Sequence, residues 1–382
     1  MRSMRPRASA MGSILTAVAL FWAFVVAPAG DVNPPGNTVP TQGAIFNTPT
    51  GTTDEQYLIR DYIQDLVRST NAGETIQISM YRITDHERDF ADTLIAARDR
   101  GVNIQVVFNA LFAGTSSAQK IIHELGTDQK KDSWATVCEN GCNGYKLNHN
   151  KFFTFSEVGG KTDVVVQSSA NLTRYNAEKF WNNAVTLINQ ELYDGYVDYF
   201  NDLAKNERDD SYYQTVHADP VKAYYFPREE GDTVTNTLDN VDCGTAEKPT
   251  MIRVGMWYVN RASVAKKLAE LGDASCKIKI IYTTMANKAE TVLESAANVE
   301  MRPLQESQEF SIHSKYYLVD GSYFDKKRKV VFTGSHNLTR GALHKNDETL
   351  LRIYSDNIYD QYEANFDHMY DTNGGNDDTH KE

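Results

Sequence analysis

Two short strings in this chain carry side chains able to handle a phosphoester: His149-Asn150-Lys151 and His313-Ser314-Lys315. Strand side chains alternate between faces, so a histidine two residues before a lysine on a strand presents an imidazole and an ammonium together. Each lysine is followed, after 18 or 20 residues, by Ser169-Ala170-Asn171-Leu172-Thr173-Arg174 or Ser335-His336-Asn337-Leu338-Thr339-Arg340, strings that differ only at the second position. Ser169, Asn171, Ser335 and Asn337 bring neutral hydroxyl and amide groups suited to phosphate oxygens. Two such units facing each other across a pseudo-two-fold axis form one site, with two imidazoles, two cations and four hydrogen-bonding side chains, that suits a phosphodiester. A lone His-x-Lys arises by chance; its repetition with the same downstream string does not.

The elements that must position these groups repeat as well. Ile76 to Tyr81 and Ile252 to Trp257 are alternating apolar runs that predict a first core strand in each half. Helical periodicity follows over Asp89 to Arg100 and Ala262 to Leu271, then strands Asn103 to Phe108 and Lys277 to Tyr282. After each His-x-Lys strand come apolar strands (Asp163 to Gln167 and Ala184 to Ile188; Lys329 to Thr333 and Glu348 to Tyr354) and a closing helix, Tyr193 to Ala204 or Ile358 to Tyr370. Alternating strands and helices predict an α/β fold of two similar lobes, each a mixed β-sheet flanked by helices, related by a pseudo-two-fold axis. The expected organisation is an extended arm over 30–43, a first lobe over 44–205, a connector over 206–250 packed on the lobes through Tyr224-Tyr225-Phe226, a second lobe over 251–370, and a disordered acidic tail over 371–382.

These motifs resemble those of the phospholipase D superfamily, whose signature is His-x-Lys, four residues, Asp, and then Gly-Ser-x-Asn. The second copy fits throughout, with His313, Lys315, Asp320, Gly334, Ser335 and Asn337; the first has Ser156 in place of the Asp and Ser168 in place of the Gly. The resemblance runs from about Ala44 to Tyr370 and is closest to compact secreted bacterial members. It implies a two-step reaction without a metal or other cofactor: one histidine attacks phosphorus, the other protonates the leaving oxygen and then activates water. It also implies a carboxylate that orients a histidine. Glu348 matches it in the second half, where Asn182 or Asn183 stands in the first. His313, backed by Glu348, is then expected to be the nucleophile and His149 the acid and base, with unequal pKa values.

Arg2, Arg5 and Arg7 before the apolar run Ile14 to Ala27, with Ala27-Pro28-Ala29 at its end, predict a signal peptide over 1–29 and a secreted protein. Loss of those three arginines moves the formal charge from -12 to about -15, a balance that disfavours non-specific nucleic-acid binding. Four cysteines in an exported chain favour two disulfides; of three connectivities, Cys138 with Cys142 and Cys243 with Cys276 keeps one bridge in each half, and a zinc site is the alternative. Three functions remain open. The first is a phospholipase D acting on glycerophospholipids such as phosphatidylcholine at a membrane or micelle surface. The second is a metal-independent endonuclease using Lys326 to Lys329 on the nucleic-acid backbone, and the third is a phosphate-binding protein that has lost turnover. Two half-sites in one chain are compatible with a monomer. Trp181, Trp257, Tyr258 and Tyr81 line either the core or a substrate pocket.

Overall fold

The computed structural model describes residues 36–84, 88–304 and 310–372. The expected signal peptide, most of the expected tail and the start of the arm lie outside the described residues. The described residues fall in one compact unit.

Two sheets dominate it. The first has seven strands, running in order through Gly43–Phe46, Asn183–Ile188, Lys161–Ser168, Lys151–Val158, Thr75–Met80, Asn103–Asn109 and Trp134–Cys138. The second repeats that order from Glu348–Tyr354 through Lys326–Gly334, Lys315–Tyr323, Met251–Val259 and Lys277–Met285 to Val299–Pro303. Each predicted strand and helix appears, with ends shifted by at most a few residues. The central strands read as apolar runs, Val164-Val165-Val166 and Val330-Val331-Phe332, because both faces of each sheet are covered. One face packs on outer helices. The other faces a shared central core, filled by Tyr196 and Tyr199 of helix Gln190–Lys205 and Tyr359, Tyr362 and Phe366 of helix Asp356–Thr372. The lobes therefore share their largest apolar cluster.

The flanking segments are drawn into the sheets. Gly43–Phe46 pairs antiparallel with Asn183–Ile188 at the edge of the first sheet. At the equivalent edge of the second, Val221–Phe226 pairs with Glu348–Tyr354 and in turn with Gln214–Ala218. The expected connector thus supplies these two strands to the second sheet, followed by helix Thr233–Leu238, and Tyr224-Tyr225-Phe226 is buried because it lies in one of those strands.

Both disulfides form as the one-bridge-per-half pairing predicts, so no described cysteine is left as a metal ligand. Closing the 33-residue separation between Cys243 and Cys276 constrains the unfolded chain more than closing the 4-residue one between Cys138 and Cys142. Replacing Cys243 and Cys276 by serine should cost about 4 kcal/mol in urea unfolding, against about 2 kcal/mol for Cys138 and Cys142, on chain-entropy grounds. Equal losses would show that the bridges act through the native state instead.

Candidate active site

The two halves meet through their backbones. Ser311–Ile312 pairs in parallel with Phe180–Trp181, and the His313 amide donates to the Trp181 carbonyl at 2.9 Å. On the other side of the pseudo-axis Asn148 bridges Asp347, and the His149 amide donates to the Asp347 carbonyl at 3.0 Å. Each histidine is thereby held beside the residue that follows its partner in the opposite half. The consequence is a crossed pairing: His149 Nδ1 lies 2.9 Å from Glu348 Oε2, and His313 Nδ1 lies 2.8 Å from Asn182 Oδ1.

This corrects the expectation that Glu348 backs His313. Spacing along the chain placed the carboxylate in the second half, but the strand crossing presents it to the histidine of the first. Of the two asparagines, Asn182 holds the ring; Asn183 bonds instead to Thr333 and Tyr362 in the core.

Lys151 and Lys315 open their strands one turn of pleat beyond the histidines, and each ammonium donates to the carbonyl of its own histidine, Lys151 at 2.6 Å. Both histidines, both lysines, Glu348 and Asn182 are almost wholly buried. Burial pushes the His149 pKa down to about 4 against the lift from Glu348, and it pushes Lys151 down to about 7. His313 is driven well below its usual value by burial and by Lys315 and Lys151, and Lys315 well below its own by burial and Lys151. A carboxylate lifts His149 against its burial, whereas the amide of Asn182 brings no such charge to His313. Burial thus disfavours the charged forms of both lysines and both histidines, and Glu348 is the carboxylate among them.

Two other expected residues take different places. The hydroxyls of Ser169 and Ser335 spend their protons on Asn182 Oδ1 (3.2 Å) and Glu348 Oε2 (2.6 Å) while accepting from the amides of Asn183 and Thr349. A hydroxyl has one proton to give, so the serines hold the partners of the histidines rather than phosphate oxygens. Asn171 and Asn337, at equivalent positions, each keep a buried amide oxygen with no partner among the described residues; only their amide nitrogens could donate to a phosphate oxygen. Asp320 lies five residues beyond Lys315 on the same strand, opposite Met251 and Lys329. That offset is about 16 Å and turns the side chain to the other face, so Asp320 is outside the catalytic centre. Its counterpart Ser156 bonds Glu74 and the Thr75 amide, so this departure of the first half leaves the centre untouched.

The aromatic residues left open between core and pocket divide between the two. Tyr81 and Trp257, at equivalent positions, each lie 4.8 Å from a histidine ring, and Phe180 stacks on His313 at 5.3 Å. Trp181 is core, packed against His368. Asp347 accepts the amides of Cys142, Asn143 (3.1 Å) and Gly144 (2.7 Å), tying the loop closed by the first disulfide to the residue before Glu348. Gly144 must be glycine here: a Cβ would stand 2.4 Å from the Lys345 carbonyl oxygen. Burial raises Asp347 to about 7 despite those three amides.

Two mixed-sheet lobes share one buried centre of paired histidines and lysines, each lobe supplying a half-site. The sequence model described as cardiolipin synthase, PLD-like domain matches residues 66–204 and 245–370, a stretch in each half, and the chain belongs to the phospholipase D superfamily, whose members act on phosphodiester bonds. Among solved structures, phosphatidylserine synthase of Haemophilus influenzae Rd KW20 is similar with a TM-score of 0.60 and 14% identity, over 85% of this chain and 86% of that one. Polyphosphate kinase of Porphyromonas gingivalis is similar with a TM-score of 0.58 and 13% identity, over 85% of this chain but 49% of the kinase, so this chain spans about half its length. Nuc of Salmonella typhimurium, a phospholipase D family member, matches 44% of this chain and 98% of its own at 19% identity and a TM-score of 0.33. A search of curated protein sequences finds no match.

The crossed pairing predicts that Glu348→Gln lowers the His149 pKa further while moving His313 little, in an imidazole NMR titration, with kcat falling roughly 10²- to 10⁴-fold. A drop centred on His313 would restore the uncrossed arrangement. Stability against pH provides a second check. His149, with its folded pKa at about 4, contributes stability above the unfolded value of 6.5 that is lost as pH falls through 4. Asp347, with its folded pKa at about 7, contributes stability below the unfolded value of 3.8 that is lost as pH rises through 7. The two oppose each other between pH 6.5 and about 4. Asp347→Asn should therefore lose stability more steeply than the native protein on acidification across that window; parallel Tm curves would refute the opposition.

Proposed function

We propose that this protein is a secreted phospholipase D that releases head groups from glycerophospholipids through a phosphohistidine on His149. The observation that carries this reading is the carboxylate of Glu348 behind His149. When the Nε2 lone pair of His149 attacks phosphorus, the ring becomes cationic, and an Nδ1 proton shared with a carboxylate stabilises that charge better than one shared with an amide. The nucleophile expected on this principle is therefore His149, not His313.

In the first step the P–N bond to His149 forms, the P–O bond to the head-group alcohol breaks, and His313 gives its proton to that oxygen. In the second, His313 takes a proton from water, the resulting hydroxide attacks phosphorus, and the P–N bond breaks to release phosphatidate and the free imidazole. Lys151, Lys315, Asn171 and Asn337 face the non-bridging oxygens, where preorganised donors contribute most to such transfers. One chain supplies every group the cycle needs.

Three features favour a lipid over a nucleic acid. Leu111 and Tyr175 are 63% and 59% exposed, and each adjoins or contacts a ring next to the site: Phe112 against Tyr81 on the His149 side, Phe180 against His313 on the other. Exposed apolar side chains at the mouth suit a bilayer or micelle. The basic run Lys326 to Lys329 sits at the opposite end of its strand from Ser335, and Lys329 is paired with Asp360, so it does not extend the catalytic cleft. The charge of -12 points the same way. Export is supported by the two disulfides and by the arginine-led apolar run before Gly30.

A p-nitrophenyl phosphodiester has a leaving group that needs no acid. On it, His313→Ala should release p-nitrophenol in a burst of about one equivalent and then stall on a ³¹P-detectable phosphohistidine, whereas His149→Ala should give no burst. The reverse pattern would make His313 the nucleophile. Choline release from phosphatidylcholine vesicles beside a DNA digest decides the substrate: cleavage of DNA alone would replace the lipase by a nuclease.

A further inference from the structure

Away from the catalytic centre, the second sheet carries a row of positive charge for which the described residues provide no counter-charge. The strands Gln214–Ala218, Val221–Phe226 and Glu348–Tyr354 are consecutive neighbours, and their register sets His217 opposite Lys222 and Lys222 opposite Arg352. Like charges placed directly across a sheet repel and cost stability. The strain is visible in the lowered pKa of Lys222, from burial and then Arg352, and in that of His217, from burial and then Lys222 and Arg352. Lys222, Arg352 and Arg228 together line a cavity of about 400 Å³, walled by helix Thr233–Leu238 and by Phe324 at a hairpin tip.

Among the described residues no carboxylate lines this cavity, in a chain with 51 acidic and 39 basic residues. Rings stand beside the cations instead: Tyr224 lies 5.0 Å from Lys222, Tyr213 4.5 Å from Arg228 and Tyr354 4.6 Å from Arg352. Ring faces attract a cation but bring no opposite charge. Arg228 uses Nε and Nη1 on the Glu230 carbonyl and the Thr233 hydroxyl, which orients its guanidinium, and Arg352 keeps a buried Nε with no hydrogen-bond partner among the described residues. Two guanidinium groups and an ammonium converging on open volume match a tetrahedral oxyanion.

We infer that this cavity is a second anion site, built for a phosphate group carrying close to two negative charges, as in inorganic phosphate or a phosphomonoester. Three cations without a carboxylate suit a dianion better than the single charge of a phosphodiester. The volume left beside Tyr213 and Phe324 accommodates whatever the phosphate is attached to. Arg352 is four residues beyond Glu348 on one strand, about 13 Å away, so an anion here does not enter the catalytic centre. The inference is independent of which diester that centre cleaves.

Calorimetric titration of the full chain with inorganic phosphate, at constant ionic strength, tests it beside Lys222→Gln/Arg352→Gln. The native protein should show a phosphate site that the double variant weakens at least ~10-fold, while both cleave the p-nitrophenyl phosphodiester equally. Without phosphate, the double variant should melt no lower than the native protein, since its repulsion is gone. Arg228→Gln, outside the strands, should weaken the same site and serves if the double variant folds poorly. Superimposable isotherms for native and variant proteins overturn the inference. Sedimentation with phosphatidylcholine vesicles containing phosphatidate identifies the source: binding lost with the variants marks a lipid-borne phosphate, and binding unchanged beside an altered phosphate isotherm marks a soluble one.

Discussion

Each histidine of this protein is fixed by the opposite half, and most of the structure follows from that constraint. Two backbone pairings, Ser311–Ile312 with Phe180–Trp181 and Asn148 with Asp347, bring the chain before each His-x-Lys string against the chain before Asn182 or Glu348. Neither half could orient its own imidazole. The central core, with Tyr199 bonded to Asn150 and Tyr362 bonded to Asn183 and Thr333, is the packing that keeps the crossing in register.

The cost of this arrangement is electrostatic. Two lysines, two histidines and Glu348 are held in a nearly dry space, where charges lose their hydration and partners must be shared. The ammonium groups fall back on the carbonyls of their own histidines, and the pKa values of Lys151 and Lys315 fall. On the proposed function, a phosphodiester entering this space would bring negative charge, so that its binding and the protonation of the lysines would proceed together. Preorganisation of this kind places donors before the reaction rather than during it.

The halves are alike in architecture and unlike in charge. Positions 182 and 348 carry an amide and a carboxylate, and positions 181 and 347 carry a core tryptophan and a carboxylate that clamps the disulfide loop. Symmetry in the backbone with asymmetry at these four positions gives the two histidines unlike partners, which the proposed two-step transfer would use. The same division appears further out, where the second sheet alone gains the strands that carry Lys222 and its neighbours.

The order of strands and helices was legible in the chain because apolar period and internal repeat are local properties, and both His-x-Lys strings with their Ser-x-Asn partners could be found by spacing alone. The disulfide pairing followed from keeping each bridge within one half. What the sequence could not decide was which residue faces which across the pseudo-axis. Glu348 was assigned to His313 by its place in the chain, Ser169 and Ser335 to phosphate by their chemistry, and Asp320 to the site by its motif. Tertiary structure moved all of these. Strand crossing carries Glu348 to His149, the serine protons are consumed by the groups that hold the imidazoles, and pleat and rise take Asp320 to the far end of its strand. Contacts between segments some 200 residues apart depend on how two sheets pack, and no local pattern encodes that.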